Sequence, residues 1–317
     1  MRLLFAAICL FAAGAACAQY PNRPLLIAVA FAPGGGTDTT ARLVAKRLGE
    51  TLGQQIVVEN RAGAGGNIAT DFVAKSAPDG YTIALTSVGP LTVAPHLIAK
   101  LPYDPRRDLA PISLAVTFGN VLVVANNLPA KTLAEYLSIA RDKPGTLSFG
   151  SSGIGGTGHL AGALLGSVAK VQLVHVPYKG GGPAMQDLLG GQVQSIIAAM
   201  PSALPQIRAG KIRAVAVTGP RRSPTLPDTP TVAESGFAGY EATNWYAFVA
   251  AAKTPPEIIE RLNREIVAAL RSPELKEQLA HHGMDPIPST PAELTRQIER
   301  EYAVWGKVVK EVGITAN

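Results

Sequence analysis

The sequence predicts an α/β protein of two domains that the chain connects by two crossings. Apolar stretches of strand length alternate with helical patterns between residues 25 and 217, and their short connections favour a largely parallel sheet. The same order of strand, Gly- or hydroxyl-rich turn and helix occurs in both halves of the chain. Two strand-like segments, Val116–Asn126 and Thr243–Ala252, follow loop-rich stretches and are predicted to pass between the domains.

The first half of the chain contains three predicted strands and two predicted helices. Leu25–Phe31, Ile56–Val58 and Tyr81–Leu85 are apolar and bounded by turn residues, as strands are. Apolar residues recur at helical spacing over Thr39–Leu52 and Ile68–Ser76. Each predicted helix therefore follows a strand, which is the arrangement of parallel α/β units.

The second half repeats this order without an exact repeat of sequence. Its predicted strands are Thr146–Phe149, Leu173–Val176, Gln194–Ala199 and Ile212–Val217. Helices are predicted over His159–Val168 and Pro183–Leu189. Met200–Ser202 is interpreted as a loop at the end of a strand.

The C-terminal part is predicted to be helical and to complete the first domain. The predicted helices are Glu257–Leu270, Pro273–His282 and Pro291–Val312. With the two crossings placed as above, the first domain comprises residues 19–118 plus 246–317 and the second comprises 119–245. Two crossings form a hinge, and a cleft between two α/β domains is a common place for a ligand.

The N-terminus has the three parts of a secretory signal peptide. Met1 and Arg2 form a short positive start, Leu3–Ala13 is apolar, and Ala16–Ala18 supplies small residues before a cleavage site. The apolar run is shorter than the roughly 20 residues of a membrane span. We therefore expect residues 1–18 to be removed, the mature chain to begin at about Gln19, and the protein to be periplasmic.

The two cysteines, Cys9 and Cys17, both lie in the predicted signal peptide, so the mature chain is expected to carry no thiol or disulfide. Lipid attachment at Cys17 is a weaker alternative to cleavage, because Gly14 stands where lipoprotein signals usually carry Leu. A buried N-terminal helix is the other alternative.

The net charge of +6, about +5 without Arg2, does not indicate a nucleic-acid partner. The densest basic pairs, Arg106–Arg107 and Arg221–Arg222, lie in Pro-rich loops without interleaved aromatic residues. A modest positive field favours an anionic ligand, although ordinary solubility charge explains it equally well.

Four Gly-rich turns are the strongest local signal of function. Free N–H groups at the start of a helix, together with the helix dipole, bind carboxylate or phosphate without a cationic side chain. A single turn of this kind is more often structural, but two on opposite sides of a cleft favour an anion site at the carboxyl ends of the strands. The turns are Pro33–Asp38, Gly63–Asn67, Gly153–His159 and Gly180–Gly182.

One of these turns, Gly153–Gly158, matches the G-x-G-x-x-G dinucleotide fingerprint. The next predicted strand runs into Pro177–Lys179, so no acidic residue is placed to hold a ribose. The predicted export also separates the chain from the nicotinamide cofactor pool. No cofactor is therefore expected.

The sequence carries no motif of an enzyme active site. It contains no G-x-S-x-G, no H-E-x-x-H and, after the signal peptide, no Cys nucleophile. None of the five histidines is paired at metal-ligand spacing on a helix face, so no metal is expected. An exported α/β hydrolase or lyase is the main enzymatic alternative, and it lacks a nucleophile motif.

Five polar residues beside the turns have open roles. His159 either contacts a ligand or hydrogen-bonds its own loop. Arg61 either pairs with a carboxylate or holds its loop. Asp38 starts a helix or contacts a ligand amine or water, and Tyr178 and Ser202 are similarly open.

Taken in order, the motifs resemble the Bug family of extracytoplasmic solute receptors of tripartite tricarboxylate transporters. The resemblance covers essentially the whole mature chain, and the combination is far more specific than any one piece. The segments that carry it are Tyr20–Pro24, Phe31–Asp38, Val58–Arg61 with Gly63–Gly66, Pro78–Thr82, Tyr103–Asp104, Gly153–Leu160, His175–Gly180 and Leu226–Thr231.

The resemblance implies a two-domain periplasmic binding protein of the Venus-flytrap type, type II-like, in which backbone amides and two ordered waters hold a ligand carboxylate. It implies ligand-binding roles for Phe31, Ala32, Pro33, Gly34, Gly35, Thr37, Asp38, Thr86 and Ser87 of one domain. In the other domain it implies such roles for Ser151, Gly155, Gly156, Thr157, His159, Tyr178, Met200, Pro201 and Ser202.

The implied ligand is a small organic acid, and the implied partners are the membrane permease subunits of the transporter. A sensor that presents its ligand to a signalling kinase is an alternative that the sequence does not separate from transport. Met200–Ser202 offers no acidic residue to a ligand amine, which disfavours amino acids. Ligand binding is expected to shift the population towards a closed state.

Overall fold

The computed structural model describes residues 20–313, so the predicted signal peptide and its cleavage site lie outside the described residues. Within 20–313 no helix combines the length and the apolar character that crossing a membrane requires.

The first lobe starts with alternating strands and helices. β1 is buried along almost its whole length, as expected of a parallel strand covered on both faces. The elements in chain order are β1 (Leu25–Val29), α1 (Gly36–Leu52), β2 (Ile56–Asn60), α2 (Asn67–Ala74), β3 (Thr82–Ser87), a π-helical turn (Gly89–Val93) and α3 (Ala94–Leu97).

The 17-residue strand β4 (Leu109–Ala125) passes from the first lobe to the second. Its first part pairs with β9 (Thr243–Ala251), the strand on which the chain returns. Its last residues pair instead with strands of the second lobe. β4 and β9, called the crossing strands below, confirm the two predicted crossings.

The second lobe lies between the crossing strands. It contains α4 (Leu133–Asp142), β5 (Ser148–Ser151), α5 (Thr157–Ala169), β6 (Val174–Pro177), α6 (Gly181–Leu189), β7 (Ser195–Ala199), α7 (Met200–Arg208) and β8 (Ile212–Val217). After β9 come α8 (Pro256–Arg271), α9 (Pro273–His281), β10 (Asp285–Pro286) and α10 (Pro291–Val312).

The strands of the two lobes have equivalent spatial arrangements. The order is β2-β1-β3-β9-β4 in the first lobe, and β6, β5, β7, β4 and β8 take the corresponding places in the second. The prediction of a largely parallel sheet is wrong, because only four of the nine pairings among the described strands are parallel. Every antiparallel pairing involves a crossing strand, since a chain that links the lobes must run against the strands of at least one of them.

The C-terminal helix α10 returns to the first lobe and packs on β9. Leu294, Ile298 and Trp305 are buried in the same core as Trp245 of β9. Both indole N–H groups donate to Glu301, at 2.8 Å from Trp245 and 3.3 Å from Trp305. The C-terminal helices therefore belong with the first lobe, although the exact boundaries at 118/119 and 245/246 remain a prediction.

Several predicted element boundaries need correction. α4 was not predicted, although its capping box of Thr132 and Glu135 is visible in the sequence. Met200–Ser202 is not a loop but the first turn of α7. α1 and α5 begin at Gly36 and Thr157, earlier than predicted, because Gly-rich segments that read as turns already belong to the first helical turn.

The crossing strand β4 should be a sensitive point of the core. Leu122 of β4 is only 1% exposed. Leu122→Ala is therefore expected to lower the free energy of unfolding by about 2–5 kcal/mol. Leu189→Ala is the matched control, because Leu189 is 43% exposed and should change it by less than about 0.5 kcal/mol. Urea unfolding measures both, and equal losses would contradict the assignment of Leu122 to the core.

Candidate functional site

A cavity lies between the two lobes, at the carboxyl ends of β1, β3, β5 and β7. The space there that protein atoms do not occupy, including open solvent at the mouth, is about 570 Å³. In each lobe, the loops at the cavity follow two neighbouring strands, and the chain leaves these two strands in opposite directions. Ligands of open α/β sheets bind at such a point, where the strand order reverses. The lining residues are Phe31, Gly35, Gly36, Thr37, Ser87, Asn120, Ser151, Ser152, Gly156, Thr157, Gly158, Gly181, Ala184, Ile196, Ile197, Ala198, Ala199, Ser202, Asn244 and Tyr246.

Four helices begin at this cavity, and no side chain caps any of them. The N-cap residues of α1, α5, α6 and α7 are Gly35, Gly156, Gly180 and Ala199. Of the helices that begin elsewhere, α4, α9 and α10 are capped by hydroxyl groups of Thr132, Ser272 and Thr290. The helices α2, α3 and α8 also begin elsewhere and have no side-chain cap. The N–H groups of the first turns around the cavity are therefore left for a ligand or water.

No charged side chain lines the cavity, because none of the lining residues is Asp, Glu, Lys, Arg or His. The positive potential comes from the N–H groups and the dipoles of the four helices. Such a site accepts a carboxylate and offers no fixed charge to an ammonium group.

Hydroxyl groups add directional contacts on the side of the second lobe. Ser151 is 1% exposed, and its Oγ lies 2.7 Å from Nε2 of His175. The same Oγ accepts from the N–H of Gly153 at 3.2 Å. Ser151 is thus held in one orientation at the cavity wall.

The floor of the cavity is formed by the crossing strands and carries two asparagines. Asn120 of β4 is 1% exposed and Asn244 of β9 is 6% exposed. Among residues 20–313, nothing forms a hydrogen bond with Nδ2 of Asn120 or with Oδ1 of Asn244. Nδ2 of Asn244 donates to Oδ1 of Asn120 at 3.4 Å.

The structure brings eight of the predicted site residues to the cavity and places ten outside its lining. Lining residues are Phe31, Gly35, Thr37, Ser87, Ser151, Gly156, Thr157 and Ser202. Those outside the lining are Ala32, Pro33, Gly34, Asp38, Thr86, Gly155, His159, Tyr178, Met200 and Pro201. Contact of any of them with a ligand remains a prediction.

Asp38 shapes the first loop from behind the cavity. Its carboxylate accepts from the N–H of Gly34 and from Asn60, and it pairs with Arg42 at 3.0 Å. Burial acts to raise the pKa of Asp38, but the hydrogen bonds from Arg42, Gly34 and Asn60 outweigh it and lower that pKa. The carboxylate therefore stays charged and holds the loop that begins α1.

His159 and His175 form a stacked pair behind the second loop, with ring centroids 3.8 Å apart. Nδ1 of His159 accepts from the N–H of Gly155 at 3.2 Å, so it supports its own loop. Burial lowers the pKa of His159 to about 4. Burial, and then the charge of His159, lowers the pKa of His175 to about 3.

The glycines of the remaining turns allow the lobes to touch. A Cβ at Gly65 would overlap the carbonyl oxygen of Ile154, and one at Gly89 would lie 2.8 Å from the carbonyl oxygen of Gly155. The N–H of Ala32 donates across the lobes to the carbonyl of Lys179 at 3.4 Å. The turn Gly63–Asn67 thus serves this contact between lobes and does not line the cavity.

Twelve lining residues were not among the individually predicted site residues, although Gly36, Gly158 and Gly181 lie in the predicted Gly-rich turns. Outside those turns, two residues gave a usable signal: Asn120 and Asn244 are amides in otherwise apolar crossing strands, where a polar side chain needs a partner. Tyr246 and the apolar wall of β7 resemble ordinary core in the sequence. The residues are Gly36, Asn120, Ser152, Gly158, Gly181, Ala184, Ile196, Ile197, Ala198, Ala199, Asn244 and Tyr246.

Comparison with known proteins agrees with this architecture. The profile of the tripartite tricarboxylate transporter family receptor matches residues 40–314. The chain is 40% identical to Protein BugT of Bordetella pertussis over 320 residues, which are 99% of this chain and 98% of BugT.

Two solved structures with bound acids are similar over nearly the whole chain. An R. palustris protein with adipate has a TM-score of 0.91 and 38% identity, covering 94% of this chain and 99% of that protein. MatC from Rhodopseudomonas palustris with bound malate has a TM-score of 0.87 and 34% identity, covering 92% and 100%. These likenesses confirm the predicted fold class, a two-domain periplasmic binding protein.

The stacked histidines predict a pH dependence of stability. Above pH 6.5 both imidazoles are neutral in the folded and unfolded chain, but below it only the unfolded chain takes up protons, down to about pH 4 for His159. Stability should therefore fall as the pH is lowered through this window, by about 1.4 kcal/mol per pH unit for each such histidine. Urea midpoints at several pH values measure it.

The variants His159→Gln and His175→Gln should each flatten this profile, whatever they do to stability at neutral pH. Ile212→Val is the control, since it removes one buried methyl group from the same lobe without changing a titrating group. An unchanged slope in both histidine variants would show that the pair does not govern the acid response.

Proposed function

Because this chain belongs to the tripartite tricarboxylate transporter receptors of the Bug family, we propose that it is a periplasmic receptor that captures a small organic acid between its lobes and delivers it to the transporter's permease subunits. The observation that carries the proposal is a cavity without charged side chains at the start of four uncapped helices.

A carboxylate is the group that best complements this cavity. Hydrogen bonds from N–H groups to a charged oxygen are stronger than bonds between neutral groups. Each helix start adds about 0.3–1 kcal/mol, and up to about 2 kcal/mol in partly buried geometry. The adipate and malate bound by the two solved neighbours are small carboxylates, which supports a carboxylate as the ligand of this cavity.

The proposed site is the set of lining residues of both lobes, and the proposed lobes are residues 19–118 plus 246–317 and residues 119–245. The family and the fold are those of solute receptors, so we propose binding without chemical conversion of the ligand. Because both lobes line one cavity, a ligand there contacts both only while they are together. Binding then favours the closed state, which is the state that the permease recognises.

Ligand binding is the first test. A thermal-shift screen of the purified protein against succinate, malate, adipate, citrate and simple amides should show stabilisation by one group of acids. A ligand at 100 times its dissociation constant stabilises the folded state by about 2.7 kcal/mol. Mass spectrometry of the denatured protein first establishes whether a ligand was copurified. A response to amides and not to acids would contradict the proposed carboxylate site.

Gly35→Leu should obstruct the cavity, and a thermal melt verifies that the variant is folded. A Cβ at Gly35 meets only the carbonyl oxygen of Ala32, at 3.6 Å, and Gly35 lines the cavity. We expect the affinity for the acid found in the screen to fall by about 100-fold, with the unfolding midpoint preserved. Gly35→Ala should weaken binding less, and full affinity in Gly35→Leu would place the ligand elsewhere.

Gly89→Ala tests whether the bound state is the closed state. The added Cβ would lie 2.8 Å from the carbonyl oxygen of Gly155 on the other lobe, and Gly89 needs no positive φ. The free energy of unfolding should therefore hold, while affinity measured by calorimetry falls by about tenfold. Small-angle scattering with ligand should show a more open molecule.

Gly219→Ala is the control for this closure test, because the nearest atom to its added Cβ lies at 3.7 Å. If Gly89→Ala binds as tightly as the unmodified protein, the contact between Gly89 and Gly155 is not part of the bound state.

A further inference from the structure

The two asparagines of the cavity floor have side-chain atoms that can bind a part of the ligand other than its carboxylate. Both side chains are at least nine-tenths buried, and both line the cavity. Buried polar atoms are almost always hydrogen-bonded, yet within the described part of the chain Nδ2 of Asn120 and Oδ1 of Asn244 have no partner. We call Asn120 and Asn244 the amide pair.

Backbone hydrogen bonds hold both residues of the amide pair in place. The N–H of Asn120 donates to Oγ1 of Thr218 at 3.0 Å, and its carbonyl accepts from the N–H of Thr218 at 2.9 Å. The carbonyl of Asn244 accepts from Oγ1 of Thr117 at 3.2 Å. The unpartnered side-chain atoms are therefore not needed to hold the crossing strands together.

The amide pair presents one unpartnered NH2 group and one unpartnered oxygen whichever way its amides are assigned. Nδ2 of Asn244 faces Oδ1 of Asn120, so turning one amide alone would bring two oxygens or two N–H groups together. Turning both restores the bond between them and exchanges the free atoms, which again leaves one free NH2 group and one free oxygen. Oγ1 of Thr157, 3.5 Å from Oδ1 of Asn120, is compatible with both arrangements because a hydroxyl donates and accepts.

We propose that the amide pair selects organic acids that carry a hydroxyl group, with the hydroxyl accepting from one asparagine and donating to the other. The proposal rests on the proposed function, since it assumes that the carboxylate occupies the uncapped helix starts of the same cavity. A hydroxyl is the smallest neutral group that satisfies a free donor and a free acceptor together.

Charged groups complement the amide pair less well. A second carboxylate only accepts, so it would face the free amide oxygen, and an ammonium group only donates, so it would face the free amide N–H. No charged side chain lines the cavity to offset either contact. The amide pair therefore disfavours amino acids, in line with the absence of an acidic residue at Met200–Ser202.

The preference is measurable with acids that differ only by the hydroxyl. A site built to hydrogen-bond a hydroxyl leaves its own polar groups unpaired when the analogue lacks one, which costs affinity. We expect the protein to bind malate more tightly than succinate, or 2-hydroxyglutarate more tightly than glutarate, by about tenfold or more in calorimetry.

Asn244→Ala and Asn120→Ala should each remove this preference. In each variant the advantage of the hydroxy acid over its unsubstituted partner should fall to about threefold or less. Asn126→Ala is the matched control, since Asn126 lies just past the end of β4, away from the cavity, and its amide donates to the carbonyl of Gly210. It should retain the preference, and thermal melts verify that each variant is folded.

The outcomes separate this proposal from the function on which it rests. If acids bind but the hydroxyl gives no advantage, or if both acids of a pair lose equally in the asparagine variants, selection by the amide pair is wrong and the carboxylate receptor stands. If only compounds without a carboxylate bind, both proposals are wrong. A crystal structure with the hydroxy acid should place its hydroxyl within 3.2 Å of both asparagines.

Discussion

The architecture depends on helix starts that must stay uncapped. An N–H group at the start of a helix has no partner within the helix, and a Ser, Thr, Asp or Asn usually supplies one. All four helices that begin at the cavity have Gly or Ala at the N-cap. Of the six described helices that begin elsewhere, three are capped by Thr132, Ser272 and Thr290, and three are uncapped. The helices at the site therefore lack the stability that a capping hydroxyl would add, and their first N–H groups can donate to a ligand.

The crossing strands connect the two lobes and also form the floor of the cavity. Because β4 pairs with β9 in one lobe and with β7 and β8 in the other, both lobes are built on the same continuous backbone. The register shifts between Pro111 and Ser113, between Leu114 and Val116 and between Leu122 and Val123, so the strand is irregular on both sides of Asn120. A ligand that contacts Asn120 and Asn244 touches the hinge itself.

The sequence predicts the strands, the two crossings and the Gly-rich turns well, because these follow from local periodicity and from glycine chemistry. It predicts the direction of strand pairing poorly, since a crossing strand has the same apolar pattern in either direction. It also does not distinguish Gly35, which lines the cavity, from Gly65, which packs on the other lobe. That difference depends on how the lobes meet, which no local pattern records.

A cavity without charged side chains would also let the protein stay folded both with and without the proposed ligand. A lysine or arginine in the closed cavity would need the ligand as its counter-ion, and without it a buried unpaired charge costs several kcal/mol. Backbone N–H groups and the amides of Asn120 and Asn244 can instead bond to water when the ligand leaves. In the function proposed above, binding exchanges water for carboxylate and hydroxyl oxygens, so discrimination among acids would rest on the number and placement of hydrogen bonds and not on net charge.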